Sequence, residues 1–320
     1  MALFEGLKAF PKVDLHVDFF GSIPKNTIYK LTKNTQEEVD SIVEFDSLKD
    51  YDNSKELVRS LLNSYDKIEL ALNELIDSLK QDNIIYSEIF VNLDFFIKKL
   101  DKKEILKRII TIIKKETNYN IVLEIESGLT KEMLYEDLNL LYEYYRKGVS
   151  GVYFKKNKLD SLESFKALFD KFLKDDIKYI VLLDSKLTNQ NKEIYYHASR
   201  IIYNVMEMPD STFIDQIRSE SILLEFALTY QNYFHLYEDL SSHIVYDLFK
   251  DNLPICFTTV DRTALDTDLL NEYCKLFNVF PFSLHSLVVI TLNILNQINL
   301  DTDLKNTLIT DFKEKANELL

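Results

Sequence analysis

His16 and Asp18 stand two residues apart in the run Lys12-Val13-Asp14-Leu15-His16-Val17-Asp18, whose alternation of apolar and polar residues predicts a strand. Side chains alternate with a period of two along an extended chain, so Val13, Leu15 and Val17 are expected on one side and Asp14, His16 and Asp18 on the other. An imidazole beside a carboxylate can help to hold a metal ion, relay a proton, or satisfy a hydrogen bond inside a core. The chain continues as Phe19-Phe20-Gly21-Ser22-Ile23-Pro24, where glycine, serine and proline mark a turn before a helix. Whatever chemistry this stretch carries sits where the strand ends.

The elements that must position these groups alternate. Short apolar runs predict strands at Ile84–Val91, Ile121–Ile125, Gly151–Phe154, Tyr179–Asp184, Ser199–Tyr203, Ile222–Phe226 and Ile255–Thr259. Between and after them lie amphipathic stretches: Lys25–Lys33, a segment begun by Thr35-Gln36-Glu37-Glu38, Ser54–Leu79 as one long helix or a bent pair, Asp101–Thr117, Lys131–Lys147, Ser161–Lys174, Asp210–Arg218, His243–Lys250, Leu265–Leu276, Phe282–Ile298 and Asp301–Leu319. Eight strand-and-helix alternations with right-handed crossovers predict a TIM (β/α)8 barrel. With no repeat, linker or low-complexity stretch, residues 1–320 are expected to form one domain. In such a barrel the chemistry gathers at the C-terminal ends of the strands.

The opening strand resembles that of the adenosine deaminase family, which reads Pro-Lys-x-(Glu/Asp)-Leu-His-x-His-Leu-Asp-Gly-(Ser/Ala) and supplies two zinc-binding histidines. Here Pro11-Lys12-Val13-Asp14-Leu15-His16 follows the pattern, while Asp18 stands at the second histidine and Phe20 at the following acid. The resemblance runs in order over most of the chain and implies what each strand end should carry. The family's His-Ala-Gly-Glu after the fifth strand, a zinc ligand and a proton-shuttling glutamate, falls on Leu182-Leu183-Asp184-Ser185. Its Arg-Ile-Gly-His-Gly on the sixth strand, whose histidine assists the zinc-bound water, falls on Arg200-Ile201-Ile202-Tyr203-Asn204. A phenol with a reference pKa of about 10 is a poor base at neutral pH. Its Asn-Thr-Asp-Asp-Pro on the eighth strand falls on Thr258-Thr259-Val260-Asp261-Arg262, so Val260 takes the metal carboxylate's place and Asp261 the nucleoside-facing one. The Gly-Asp-Glu segment after the fourth strand falls at or near Lys156-Asn157-Lys158.

A catalytic zinc needs about three protein ligands and a water, and by this correspondence only His16 and Asp18 remain. The resemblance therefore implies a degenerate deaminase barrel with no metal expected, Ser185 and Tyr203 in vacated catalytic positions, and ligand contacts from Asp261, Gly21, Ser22 and Phe20. A purine nucleoside or a partner protein is the expected occupant. The alternative is an active deaminase using His16, Asp18, Asp184 and Asp261 to hold zinc or a harder divalent ion. A third reading is a purely structural protein whose mouth is filled by Phe19, Phe20 and Tyr203; Phe95 and Phe96 belong to the same aromatic group, expected either to occlude the pocket or to stack on a base. The segment from Thr229 to Tyr237 reads as an exposed aromatic loop, packed or offered to a partner. His197, His235, His243 and His285 have no metal-ligand spacing and are expected to be solvated or to cap helices.

Composition narrows the classes further. Fifty-two acids against 38 bases leave a net charge of −14, which disfavours nonspecific nucleic-acid and anionic-membrane binding. With only two cysteines, Cys256 and Cys274, no disulfide framework or cysteine zinc site is expected, and a reducing cytoplasm is the expected compartment. Glycine-rich phosphate loops are absent, and with no run of about 18 apolar residues neither a membrane span nor export is expected.

Overall fold

The computed structural model describes residues 2–32, 35, 37, 39–40, 48–97, 99–116, 118–155, 165–187 and 192–320. Eight parallel strands follow one another in sequence order: β1 (Lys12–Asp18), β2 (Ile84–Val91), β3 (Tyr119–Glu126), β4 (Val149–Lys155), β5 (Tyr179–Leu183), β6 (Arg200–Tyr203), β7 (Leu223–Phe226) and β8 (Ile255–Phe257). The ring is joined between its first and last strands by two backbone hydrogen bonds, Asp18 N–H to the Val260 carbonyl at 2.7 Å and Val260 N–H to the His16 carbonyl at 2.8 Å. Helices cover the outer face and side chains fill the inside, which is why the strands read as near-continuous apolar runs. Phe90, Val122, Tyr153, Ile180 and Ile202 form the apolar plug within the barrel.

The plain alternation expected of β1 is interrupted. Its register against β2 is irregular between Asp14 and Val17, and Leu15 lines a small cavity together with Glu88 and Arg200, as His16 and Asp18 line the mouth. A bulge of this kind re-aims side chains by inserting a residue out of step. The Ser54–Leu79 stretch is a pair of helices, Leu48–Leu61 and Tyr65–Gln81, parted where Ser64 caps the second by accepting from the Lys67 N–H at 3.4 Å. The break frees the first helix to lie across the strand ends, with Tyr51, Lys55 and Arg59 lining the mouth. The segment from Thr229 is no exposed loop: Leu228–Tyr233 is a helix with Gln231 fully buried. Among the described residues no helix is long and apolar enough to cross a membrane.

His243 is neither solvated nor a simple cap. It is 2% exposed; Nδ1 accepts the Val245 N–H at 3.1 Å, which leaves the proton on Nε2, 3.1 Å from Gln231 Oε1. Gln231 in turn donates to the Tyr203 carbonyl at 2.7 Å and to Asn204 Oδ1 at 3.1 Å, tying the end of β6 to the chain beyond β7. Burial lowers the His243 pKa to about 4. The unfolded chain takes up this proton near pH 6.5 and the folded chain only near 4, so stability falls as pH drops through that window, by about 3 kcal/mol in all. Urea unfolding at pH 7 and pH 4.5 should show this loss in the wild type and a shallower one in His243→Gln.

Candidate ligand site at the barrel mouth

A cavity of about 710 Å³ opens at the C-terminal ends of the strands, a volume that suits a small organic ligand. Its strand-borne walls include His16 and Asp18 from β1, Glu124 from β3, Tyr153 and Lys155 from β4, Leu182 from β5, Ile202 from β6, and Val260 and Asp261 just beyond β8. Asn204, Tyr230 and Phe234 complete one side, and the Leu48–Leu61 helix closes another with Tyr51, Lys55 and Arg59. The mouth is therefore open and part aromatic, not plugged.

Lys55 is the centre of its charge arrangement. Its Nζ lies 2.8 Å from Asp261 Oδ1 and 3.2 Å from Asp18 Oδ1. Asp18 Oδ1 also accepts the Gly21 N–H at 2.7 Å, and the Tyr51 hydroxyl donates to Asp261 Oδ2. Burial opposes the charge on Lys55, but the two carboxylates outweigh it and hold the ammonium well above its ordinary pKa. Burial likewise pushes the Asp18 carboxyl up, and Lys55 with the Gly21 N–H overcomes it, leaving Asp18 below the usual range. Asp261, wholly enclosed, stays above that range because burial and the nearby Asp18 charge outweigh what Lys55 and Tyr51 provide.

Beneath this group runs a second polar chain. His16 Nδ1 is 2.5 Å from Glu225 Oε1 on β7; Arg200 on β6 reaches Glu225 through Nε at 3.2 Å and Glu88 on β2 through a terminal nitrogen at 2.8 Å. The His16 ring stacks on Phe90 with centroids 3.7 Å apart. Burial raises the Glu225 carboxyl, yet His16 and Arg200 reverse it and keep Glu225 below its ordinary range. Neither Glu225 nor Glu88 was anticipated as a site residue. The available signal was an acid inside Leu223-Leu224-Glu225-Phe226, since a charge is rarely enclosed without a partner.

The other expected site residues are dispersed. Gly21 and Ser22 brace the site from behind: the Ser22 hydroxyl donates to the Val260 carbonyl at 3.0 Å and accepts the Arg262 N–H at 3.1 Å. Those bonds help hold Val260 at φ +59°, a left-handed conformation that is costly for a β-branched residue. Phe20 is buried against Phe19, Phe95 and Phe96 at centroid separations of 5.1 to 5.7 Å, with the Arg59 guanidinium over the Phe95 ring. It does not line the cavity, so this aromatic group neither occludes the mouth nor offers a stacking face. Ser185 and Tyr203 line a separate pocket of about 230 Å³, and the Tyr203 hydroxyl donates to the Glu207 carbonyl at 2.9 Å. The strand period explains this: Ile202 faces in, so Tyr203 faces out. Lys156-Asn157-Lys158 lies outside the described residues.

The alternative metal set is only partly assembled. His16, Asp18 and Asp261 share the cavity, whereas Asp184 is exposed and does not line it. Zinc needs about three protein donors converging on one point. Among the described residues no group of three or more His, Cys, Asp or Glu side chains does so. Asp18 and Asp261 face an ammonium, His16 Nδ1 is held by Glu225, and Leu182 and Val260 offer only carbon. The described side chains, as arranged, do not fit a zinc ion.

Comparison with known proteins agrees with this architecture. The chain is 23% identical over 308 residues to an adenosine deaminase of Clostridium perfringens, covering 88% of this chain and 92% of that protein. It is 21% identical over 330 residues to one of Enterococcus faecalis, covering 94% and 96%. Among solved structures, the apo N6-methyl-AMP deaminase of Arabidopsis thaliana superposes with a TM-score of 0.84 at 17% identity, covering 98% of this chain and 99% of that one. An adenine deaminase of Arthrobacter aurescens does so with a TM-score of 0.82 at 13% identity, covering 96% and 99%. The family model described as adenosine deaminase matches residues 11–315, nearly the whole barrel from the start of β1 to the last helix, and the chain belongs to the adenosine deaminase family.

Proposed function

We propose that this protein binds a purine nucleoside, or a close relative of one, at the barrel mouth without hydrolysing it. The observation that carries the reading is the Lys55 ammonium lying between Asp18 and Asp261. A cation is already in place where the strand ends converge, and the neighbouring positions Leu182 and Val260 cannot ligate a second one. Hydrolytic deamination at such a site requires an activated water and a proton shuttle; Ser185 and Tyr203, which stand in the corresponding places of the resemblance, line another pocket.

Binding itself has support. The cavity offers aromatic faces from Tyr153, Tyr230 and Phe234, and polar groups from Asn204, Glu124 and Lys155, the mixture that holds a flat heterocycle and a hydroxylated sugar. Lys155 lies 3.2 Å from Glu124; the Glu124 charge, against the cost of burial, holds the ammonium well above its ordinary pKa. Solved relatives of the same fold from Arabidopsis carry IMP and GMP.

Adenosine and inosine, each at 1 mM or so, are expected to raise the melting temperature by about 2–4 °C through binding linkage, with no ammonia released and no stoichiometric metal in the purified protein. Stoichiometric zinc together with adenosine turnover that is abolished in His16→Ala would replace this reading with an active deaminase.

A further inference from the structure

Asp18 and Asp261 present two enclosed carboxylates to a single ammonium, at 3.2 and 2.8 Å. Two carboxylates this close cannot both stay ionised without a cation between them. Among the described residues the other hydrogen-bond donors to them, the Gly21 N–H and the Tyr51 hydroxyl, are neutral, and Lys155 and Arg59 act on Asp18 without pairing with it directly. Lys55 comes from outside the barrel, from the Leu48–Leu61 helix, and its side chain is only 13% exposed; the aliphatic stem fills the approach and the head fills the gap. A lysine head is a compact charge with three N–H donors; one is hydrogen-bonded to Asp261, and the charge also pairs with Asp18.

We propose that Lys55 is a tethered counter-ion, and that truncating it vacates a site shaped for one primary alkylammonium ion. The inference builds on the reading of the mouth as a place already holding its own cation. The void left by Lys55→Ala keeps both carboxyl groups, which an incoming cation lets ionise together, the two neutral donors and the space that the stem occupied. A short primary ammonium with a two- or three-carbon tail matches it in charge, hydrogen bonding and length; a quaternary ammonium of equal charge has no N–H to donate and is too broad.

The test is thermal unfolding of wild type and Lys55→Ala in sodium chloride, ethylammonium chloride and tetramethylammonium chloride at equal ionic strength. Lys55→Ala is expected to melt lower than wild type in sodium chloride, and 100 mM ethylammonium is expected to recover about half of the loss, with tetramethylammonium recovering none and wild type indifferent to all three. Adding Asp261→Asn to Lys55→Ala should abolish the selective recovery. If Lys55→Ala does not fold alone, refolding from urea with and without ethylammonium gives the same comparison, and Lys55→Ser provides a second truncated side chain for the melts. Equal responses to the two organic cations, or an unchanged melting temperature in Lys55→Ala, would overturn the proposal. Zinc-dependent adenosine turnover by the wild type would instead overturn the functional reading, so the two failures are distinguishable.

Discussion

Arg200→Met is expected to destabilise the protein by about 3–5 kcal/mol, the range for removing one partner from a buried ion pair. The guanidinium is 4% exposed and serves two carboxylates, Glu88 at 2.8 Å and Glu225 at 3.2 Å. Burial works against its charge, and the two glutamates overcome it and raise its pKa. Without it both acids stay enclosed in the barrel, with only the hydrogen bonds from His16 and Thr258 left on Glu225. The methionine stem replaces most of the packing, so the loss isolates charge more than volume. Urea unfolding midpoints read the effect. Its pH dependence identifies the cause: the two glutamates, left without their cation, should have folded pKa values above their unfolded ones, so the penalty is full at neutral pH and shrinks as pH falls through those raised values. A deficit independent of pH would show that packing, not charge, was lost. Glu225→Gln added to Arg200→Met should recover part of the stability at pH 7, because one stranded charge is removed.

Gly21→Ala should cost about 3 kcal/mol, the upper end for overpacking a rigid site. A Cβ on Gly21 would lie 1.7 Å from Asp261 Oδ1 and 2.5 Å from its Cγ. Asp261 cannot retreat, since it is fully buried and held by Lys55 and Tyr51. The turn cannot retreat either, because the Gly21 N–H donates to Asp18 and its carbonyl accepts from Thr263 and Ala264, both at 3.0 Å. The glycine is required here by close approach. Gly6 in the Ala2–Ala9 helix is the internal control: a Cβ there meets only Leu284 at an ordinary 3.6 Å, and Gly6→Ala should be neutral or stabilising by up to about 1 kcal/mol through the unfolded state. Melting curves of the two variants side by side test this. Equal effects would show that the Gly21 turn yields more easily than its hydrogen bonds imply. The same substitution should also weaken any nucleoside-induced shift, since Asp261 lines the cavity.

The pairing of charges in and below the mouth explains how a net-acidic chain tolerates acids inside its barrel. Four of the enclosed acids have a specific cation: Lys55 for Asp18 and Asp261, and Arg200 for Glu225 and Glu88. Such pairs contribute little net stability against apolar replacements, but breaking one strands a charge. They therefore constrain which side chains can change singly, which is why both large predicted effects fall on them.

The alternation of apolar runs with amphipathic helices was enough to determine the barrel, its strand order and the place where its chemistry collects, because each of those follows from local periodicity and short connections. The Pro11-to-Pro24 stretch and the strand-end motifs were enough to place the family. Inward or outward facing was not read correctly even on the regular β6, where the resemblance put Tyr203 at the mouth while the phase of Ile202 sends it outward, nor across the irregular part of β1, where Leu15 and His16 both serve the interior at different depths. Partners were not legible at all. His16 meets Glu225 across 209 residues and Lys55 meets Asp261 across 206, and nothing in the Leu48–Leu61 helix distinguishes Lys55 from a solvated lysine. Only barrel closure and the tilt of that helix decided those pairings, because an ion pair depends on where two chain segments arrive in space, and local sequence pattern specifies each segment without specifying their meeting.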